Sequence, residues 1–189
     1  MTFKGLKEAV ERNIIKLFQK FYENPAVFLC ETDVESYLYS LLINDSFLKQ
    51  FSPHFKDDFL KKDSRTVLIH TEIPLEIRRR KIGIYDISIW KPKKVVKWDE
   101  WETTIGIEIK FNRAYPRIIE DVHKVKQDQR GYVLWLNWDR PIGKKTLKKA
   151  EDLVKRYRNV RLFYLDVFSD PIKTNVRQVK KLVKNSNKL

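Results

Sequence analysis

The chain has one cysteine, three histidines and five glycines in 189 residues, and each scarcity removes a class of function. A disulfide framework needs paired cysteines, and structural zinc sites are built on two or more closely spaced cysteines, so a single Cys30 with the scattered His54, His70 and His123 supports neither. The five glycines form neither a G-x-G-x-x-G turn nor a Walker loop, which leaves nucleotide binding without support. No apolar run nears the ~18 residues that span a bilayer, and MTFKGLKEAVERN lacks the apolar centre of a secretory signal. The expectation is a soluble, cytoplasmic protein in a reducing compartment, with no membrane partner and with Cys30 as a small buried hydrophobe. Acidic residues are scarce as well: 25 stand against 39 Lys plus Arg, a formal net charge of +14. That excess points to a polyanionic partner, hence nucleic acid.

What is present organises into alternating periods. Leu6, Val10, Ile14, Leu17 and Phe21 recur every three or four residues, the stripe of an amphipathic helix that ends before Asn24-Pro25. Val34, Leu38, Leu41 and Leu42 mark a second helix starting between Cys30 and Asp33, with Thr32 and Glu35 spaced as a capping box. Residues 44–65 mix aromatics, charge and Pro53, and predict a short helix or two and a connector. The period then changes to two. Strands are expected at Thr66 to Leu75, Gly83 to Trp90 and Thr103 to Phe111, an antiparallel meander whose last connection, with Pro92, Trp98 and Trp101, is an extended hairpin tip. A helix opened by Pro116 and carrying Ile118, Val122 and Val125 follows. A buried strand over Gly131 to Trp138, a helix through Leu147, Ala150, Val154 and Tyr157, and a strand over Val160 to Phe168 complete the order ααβββαβαβ. The fold class is therefore α/β, a mixed sheet of about five strands flanked by helices. We expect one domain over 1–172, divided into an N-terminal helical extension (1–27) and a core (28–168), with a basic tail over 173–189. The tail's Lys173, Arg177, Lys180, Lys181, Lys184 and Lys188 suit either a solvated terminus or an arm on nucleic acid.

Side chains alternate across a strand, so Ile105, Ile107 and Ile109 take one face of the third strand and Gly106, Glu108 and Lys110 the other. In the second strand Tyr85, Ile87 and Ile89 alternate with Asp86 and Ser88. If the two strands pair, Asp86 meets Glu108 and Lys110 on one patch. Glu108-Ile-Lys110 is the one place in the chain where lysine follows an acidic residue by two positions, so it is not a by-product of abundant charge. A cross-strand salt bridge on a solvated face is the structural alternative. Such uniformly β-branched neighbours, with helices before and after, favour a covered strand instead.

In Gly-Ile-Tyr-Asp86-Ile-Ser-Ile and Ile-Gly-Ile-Glu108-Ile-Lys110, with this element order over residues 28–168, the chain resembles the PD-(D/E)XK nuclease superfamily. The resemblance implies a restriction-endonuclease-like core with an extra N-terminal helix and a Mg2+- or Mn2+-dependent endonuclease. Tyr85 stands where many members have proline. The implied catalytic set is Asp86, Glu108 and Lys110, with Glu31 (Glu35 its rival) on the preceding helix and Glu72 on the first strand. Glu31 is preferred because Glu35 is assigned to the capping box. The implied metal ligands are Asp86, Glu108 and the Ile109 carbonyl. The chemistry suits these types: magnesium prefers hard oxygen ligands and activates water and phosphate together, and an adjacent ammonium orients water and balances charge.

Expected phosphate contacts are Arg78, Arg79 and Arg80 before the aspartate strand, Lys93 and Lys94 (with Lys91 and Lys97) beyond it, and Arg113, Arg117, Lys124 and Lys126 after the Glu-x-Lys strand. Trp98 and Trp101 suit base stacking or plain packing. His70 shares strand parity with Glu72 and is either a water- or phosphate-contacting group or a half-buried packed histidine. DNA is the expected substrate. An RNA-directed nuclease and a binding module that does not cut remain open, and symmetric cutting would call for a homodimer.

Overall fold

The computed structural model describes residues 2–50, 54–57, 62–65, 68–77, 80–90, 95–96, 103–139 and 141–166. Helix α1 (Phe3–Glu23) opens on Thr2, whose side chain accepts from the Gly5 N–H at 3.2 Å. A 3-10 turn at Pro25–Val27 leads into α2 (Glu31–Ile43), followed by the short α3 (Ser46–Lys49). Strands β1 (His54–Asp57), β2 (Lys62–Arg65), β3 (Ile69–Ile77), β4 (Arg80–Trp90), β5 (Val95–Val96) and β6 (Thr103–Phe111) come next. The order closes with α4 (Tyr115–Val125), β7 (Arg130–Asn137), α5 (Lys144–Lys155) and β8 (Val160–Asp166).

The principal sheet has five strands in the order β3-β4-β6-β7-β8. Its first three pair antiparallel, and β6-β7 and β7-β8 pair parallel through the crossover helices α4 and α5. This is the mixed α/β sheet that the change of period predicts. The strands β2-β1-β5 form a second, small sheet where a connector and a hairpin tip are expected; pieces of two and four residues without apolar alternation leave no periodic signal.

Two apolar layers cover the principal sheet. One contains Leu6, Val10, Ile14, Leu17, Phe18 and Phe21 of α1 and Val34, Leu38 and Leu42 of α2, packed with Ile87, Ile89, Ile105, Ile107 and Ile109. The other joins Ile118, Val122 and Val125 of α4 to Val133, Trp135 and Ala150. Helix α1 is thus part of the core rather than an extension to it: Phe18 meets Phe163 at 6.0 Å, and the buried Glu11 accepts from the Tyr132 hydroxyl at 2.8 Å and from Arg161 at 2.7 Å. Cys30 is exposed, not buried, because it is the extended N-cap residue of α2.

Tyr85 departs from the expected alternation. Ile87 and Ile89 enter the layer under α1 and α2, whereas Tyr85 packs in the layer under α4. Gly106 makes room for it: a Cβ there would lie 2.8 Å from the Tyr85 ring and would collide with the Asp128 carboxylate. Gly106→Ala is expected to destabilise the protein by about 1–3 kcal/mol, read as a lower urea midpoint with an unchanged slope.

Candidate active site

The β4-β6 ladder runs from Trp90↔Thr103 to Ile87↔Ile107 and ends one residue short of Asp86 and Glu108. There the Ile109 N–H donates to Asp86 Oδ2 at 2.6 Å. A side-chain carboxylate has taken an amide that a strand carbonyl would otherwise bind, a charge-assisted bond. Tyr85 leaves the regular alternation next to this point, and the Asp86 and Glu108 carboxyl groups stand on adjacent strands.

Lys110 is the hub. Its Nζ donates to the Ile109 carbonyl at 2.7 Å and to Glu31 Oε1 at 3.3 Å, and lies 3.7 Å from Asp86, 3.7 Å from Asp121 and 4.0 Å from Glu108. Glu31 is the first residue of α2 and also accepts from the Phe111 N–H at 3.3 Å, with Arg113 Nε 3.8 Å away. It is the helix carboxylate that reaches Lys110, for a reason other than the one the spacing suggests. The Thr32-Glu35 capping box does not form, since Thr32 is already inside the helix. Asp33 instead accepts from the Leu29 and Cys30 N–H groups at 2.7 and 3.1 Å, which holds its carboxyl below the usual range. Starting the helix one residue after Cys30 is what brings Glu31 to the strand end.

Helix α4 contributes two further groups. Asp121 is buried on the sheet-facing side and lies beside Lys110 and Glu108. Sequence reasoning missed it, although a signal existed: Asp121 falls three residues after Ile118 and four before Val125, inside the apolar stripe, where an acid is out of place. Lys124, one turn on, was expected to contact phosphate. Its ammonium instead donates to Glu108 Oε2 and to the Ile84 carbonyl, each at 2.7 Å.

Four carboxyl groups (Glu31, Asp86, Glu108, Asp121) thus surround two ammonium groups. Glu108 is fully buried, and burial, reinforced by the neighbouring Asp86 carboxylate, pushes its carboxyl strongly upward despite Lys124. Burial likewise raises Asp121 and Asp86 against the pull of Lys110. The surrounding carboxylates raise Lys110 and keep it charged although burial opposes them. Beneath, Asp128 is pushed up to about 7 by burial beside Tyr85.

Of the remaining expected residues, few have described side chains. The register Thr71↔Ile87 and Ile73↔Tyr85 places Glu72 at the position opposite Asp86; the side chains of Glu72 and Arg80 lie outside the described part. So do Arg78, Arg79, Lys91, Lys93, Lys94, Lys97, Trp98, Trp101 and the tail. Arg113 is exposed at the site's rim, and Arg117, also exposed, pairs with Glu120 at 2.8 Å. His70 stacks on Trp90 with ring centroids 3.6 Å apart, a contact of the kind the packed-histidine alternative expects. No helix among the described residues is long and apolar enough to cross a membrane.

Does this donor set fit a divalent ion? Among the described residues, no three His, Cys, Asp or Glu side chains converge tightly enough to ligate one as they stand. Two observations nevertheless match a hard cation. Among the described residues no donor comes within hydrogen-bond distance of the buried Glu108 Oε1 and Asp121 Oδ2; Asp121 Oδ2 lies 3.7 Å from the Lys110 ammonium and its carboxyl meets that of Glu108, an acid-acid contact that a cation would relieve. Every nearby donor atom is oxygen, the ligand type of magnesium and manganese. The Ile109 carbonyl is bound by Lys110 but keeps a second lone pair. Compared with protein-family models, with curated proteins and with solved structures, the chain matches none.

Proposed function

We propose that this chain is a divalent-metal-dependent nuclease of the PD-(D/E)XK type that hydrolyses phosphodiester bonds, with DNA as its substrate. The observation that carries the reading is the convergence of Asp86, Glu108, Asp121 and Glu31 on Lys110 in a chain of net charge +14. Fully ionised, those four carboxylates exceed Lys110 and Lys124 by two charges, the charge of one divalent ion.

Asp86, Glu108 and the Ile109 carbonyl would hold Mg2+ or Mn2+, with Glu31 and Asp121 on its water shell. When bound, such an ion supplies Lewis acidity toward the phosphate and a more acidic water. The chain's own groups do the rest. Lys110, fixed by the Ile109 carbonyl and Glu31, presents a permanent positive charge where the attacking oxygen and the phosphate meet. Asp86 holds the Ile109 amide and with it the relative placement of the two strands. Arg113, at the rim, is positioned to contact the phosphodiester backbone without reading sequence.

The test is incubation of the purified protein with supercoiled DNA, branched DNA and RNA strands, with Mg2+, Mn2+ or EDTA, alongside Asp86→Ala. Metal-dependent cutting of DNA by the wild type and none by the variant is the expected result. Cutting confined to RNA would make it an RNA-directed enzyme. Salt-sensitive binding equal in both proteins, without cutting, would reduce it to a binding module.

A further inference from the structure

We propose that Lys124 is an internal counter-ion that occupies Glu108 in the ion-free protein and is displaced when a divalent cation binds. The inference rests on the metal-dependent reading above and adds a residue with an unexpected role. Lys124 Nζ is held by one carboxylate and one carbonyl oxygen, Glu108 Oε2 and Ile84 O, each at 2.7 Å. These are hard oxygens of the kind a divalent ion takes. Glu108 is fully buried, and its other oxygen meets no donor among the described residues, while the Asp121 carboxyl lies against the Glu108 carboxyl. Glu108 therefore gains from a cation that engages both oxygens, something one ammonium at Oε2 does not do.

The two lysines differ in what holds them. Lys110 lies within 4.0 Å of four carboxylates and is anchored at its own strand carbonyl. Glu108 is the carboxylate that Lys124 engages, and Lys124 comes from the outer helix on a flexible stem that already keeps a fifth of its surface in water. A dication entering the cluster repels both ammonium groups, and the one with fewer anchors and a short path to solvent leaves. Its release would put a positive charge at the mouth of the site, where a phosphate can take it up. Lys124 is in this sense a positioning residue that excludes unwanted cations until the divalent ion replaces it.

The experiment is amine footprinting of the full chain with a small acylating reagent, with and without Ca2+ or Mg2+, read by mass spectrometry at Lys124 and Lys110. Ion binding is followed in parallel as a rise in melting temperature. Lys124 side-chain exposure is 20% when paired, so its labelling is expected to rise by up to about fivefold on ion binding as the stem becomes solvated, with Lys110 unchanged. The Asp86→Asn variant should show neither the melting shift nor the change in labelling. Lys124→Gln, which keeps a donor for Glu108 and the Ile84 carbonyl, should still bind the ion. If the melting temperature rises while Lys124 stays protected, or if Lys110 is the lysine exposed, the displacement idea is wrong and the nuclease reading stands. If the wild type shows no melting shift with either ion, both fall together.

Discussion

Asp86→Asn is expected to lower metal-dependent DNA cleavage by at least about a thousandfold, since the loss of a ligand charge weakens every electrostatic contribution at the phosphate. The asparagine is the informative choice because its carbonyl still accepts from the Ile109 N–H, the bond that Asp86 makes at 2.6 Å. Circular dichroism and melting should therefore remain close to wild type while activity vanishes. Lys110→Met probes the other half of the arrangement. Loss of a positioned electrostatic stabiliser costs about 10²–10³-fold in rate, and Lys110 is the group in contact with both Glu31 and the Ile109 carbonyl. Single-turnover cleavage of a labelled duplex separates this loss from weaker DNA binding, which a salt titration measures independently.

The second large effect is on stability, and its sign runs against ordinary expectation. Glu108 is raised well above its usual 4.5, mainly by burial, and Asp121 and Asp86 are raised in the same direction. Over the pH range above the ordinary carboxylate values the folded protein holds protons that the unfolded chain has released, so stability falls as pH rises through that range toward neutrality and beyond. Asp128, pushed up to about 7, adds to the same slope. Glu108→Gln removes the largest of these penalties while keeping the shape and an acceptor for Lys124. It should stabilise the ion-free protein at pH 8 by on the order of 2 kcal/mol, and by little near pH 4.5. The same substitution should abolish cleavage, the trade between stability and activity expected when a site is built from groups that repel one another. Chemical denaturation at both pH values, in EDTA, reads the difference. A Glu108→Gln protein less stable than wild type at pH 8 would mean that the Lys124 ion pair outweighs the burial penalty.

Much of this was legible from spacing. The α1 stripe, the switch to a period of two at β3 and the Ile-x-Ile-x-Ile pattern of β6 each follow from burying one face of an element, and the pairing of β4 with β6 then brings Asp86 beside the Glu108-Ile109-Lys110 segment. The weaker inferences concerned ends and detours. The start of α2 depended on Asp33 outcompeting Glu35 for the free amides of the first turn, a choice between two carboxylates that periodicity does not resolve. Tyr85 crossed to the other layer because Gly106 left a space, and nothing in the β4 segment alone records what its neighbour lacks. Asp121 and Lys124 belong to the site only because the β6-α4-β7 crossover folds α4 back over Glu108. An acid within an apolar stripe was the available clue.

The central claim is that Asp86 and Glu108 share one divalent cation. A crystal soaked in Mn2+ and measured near the manganese absorption edge tests it most directly. The account predicts a single strong anomalous peak at about 2.1 Å from a carboxylate oxygen of each residue, with the Lys124 ammonium withdrawn from Glu108. Side chains unmoved, Lys124 still on Glu108 Oε2, and no peak between the two strands would contradict it.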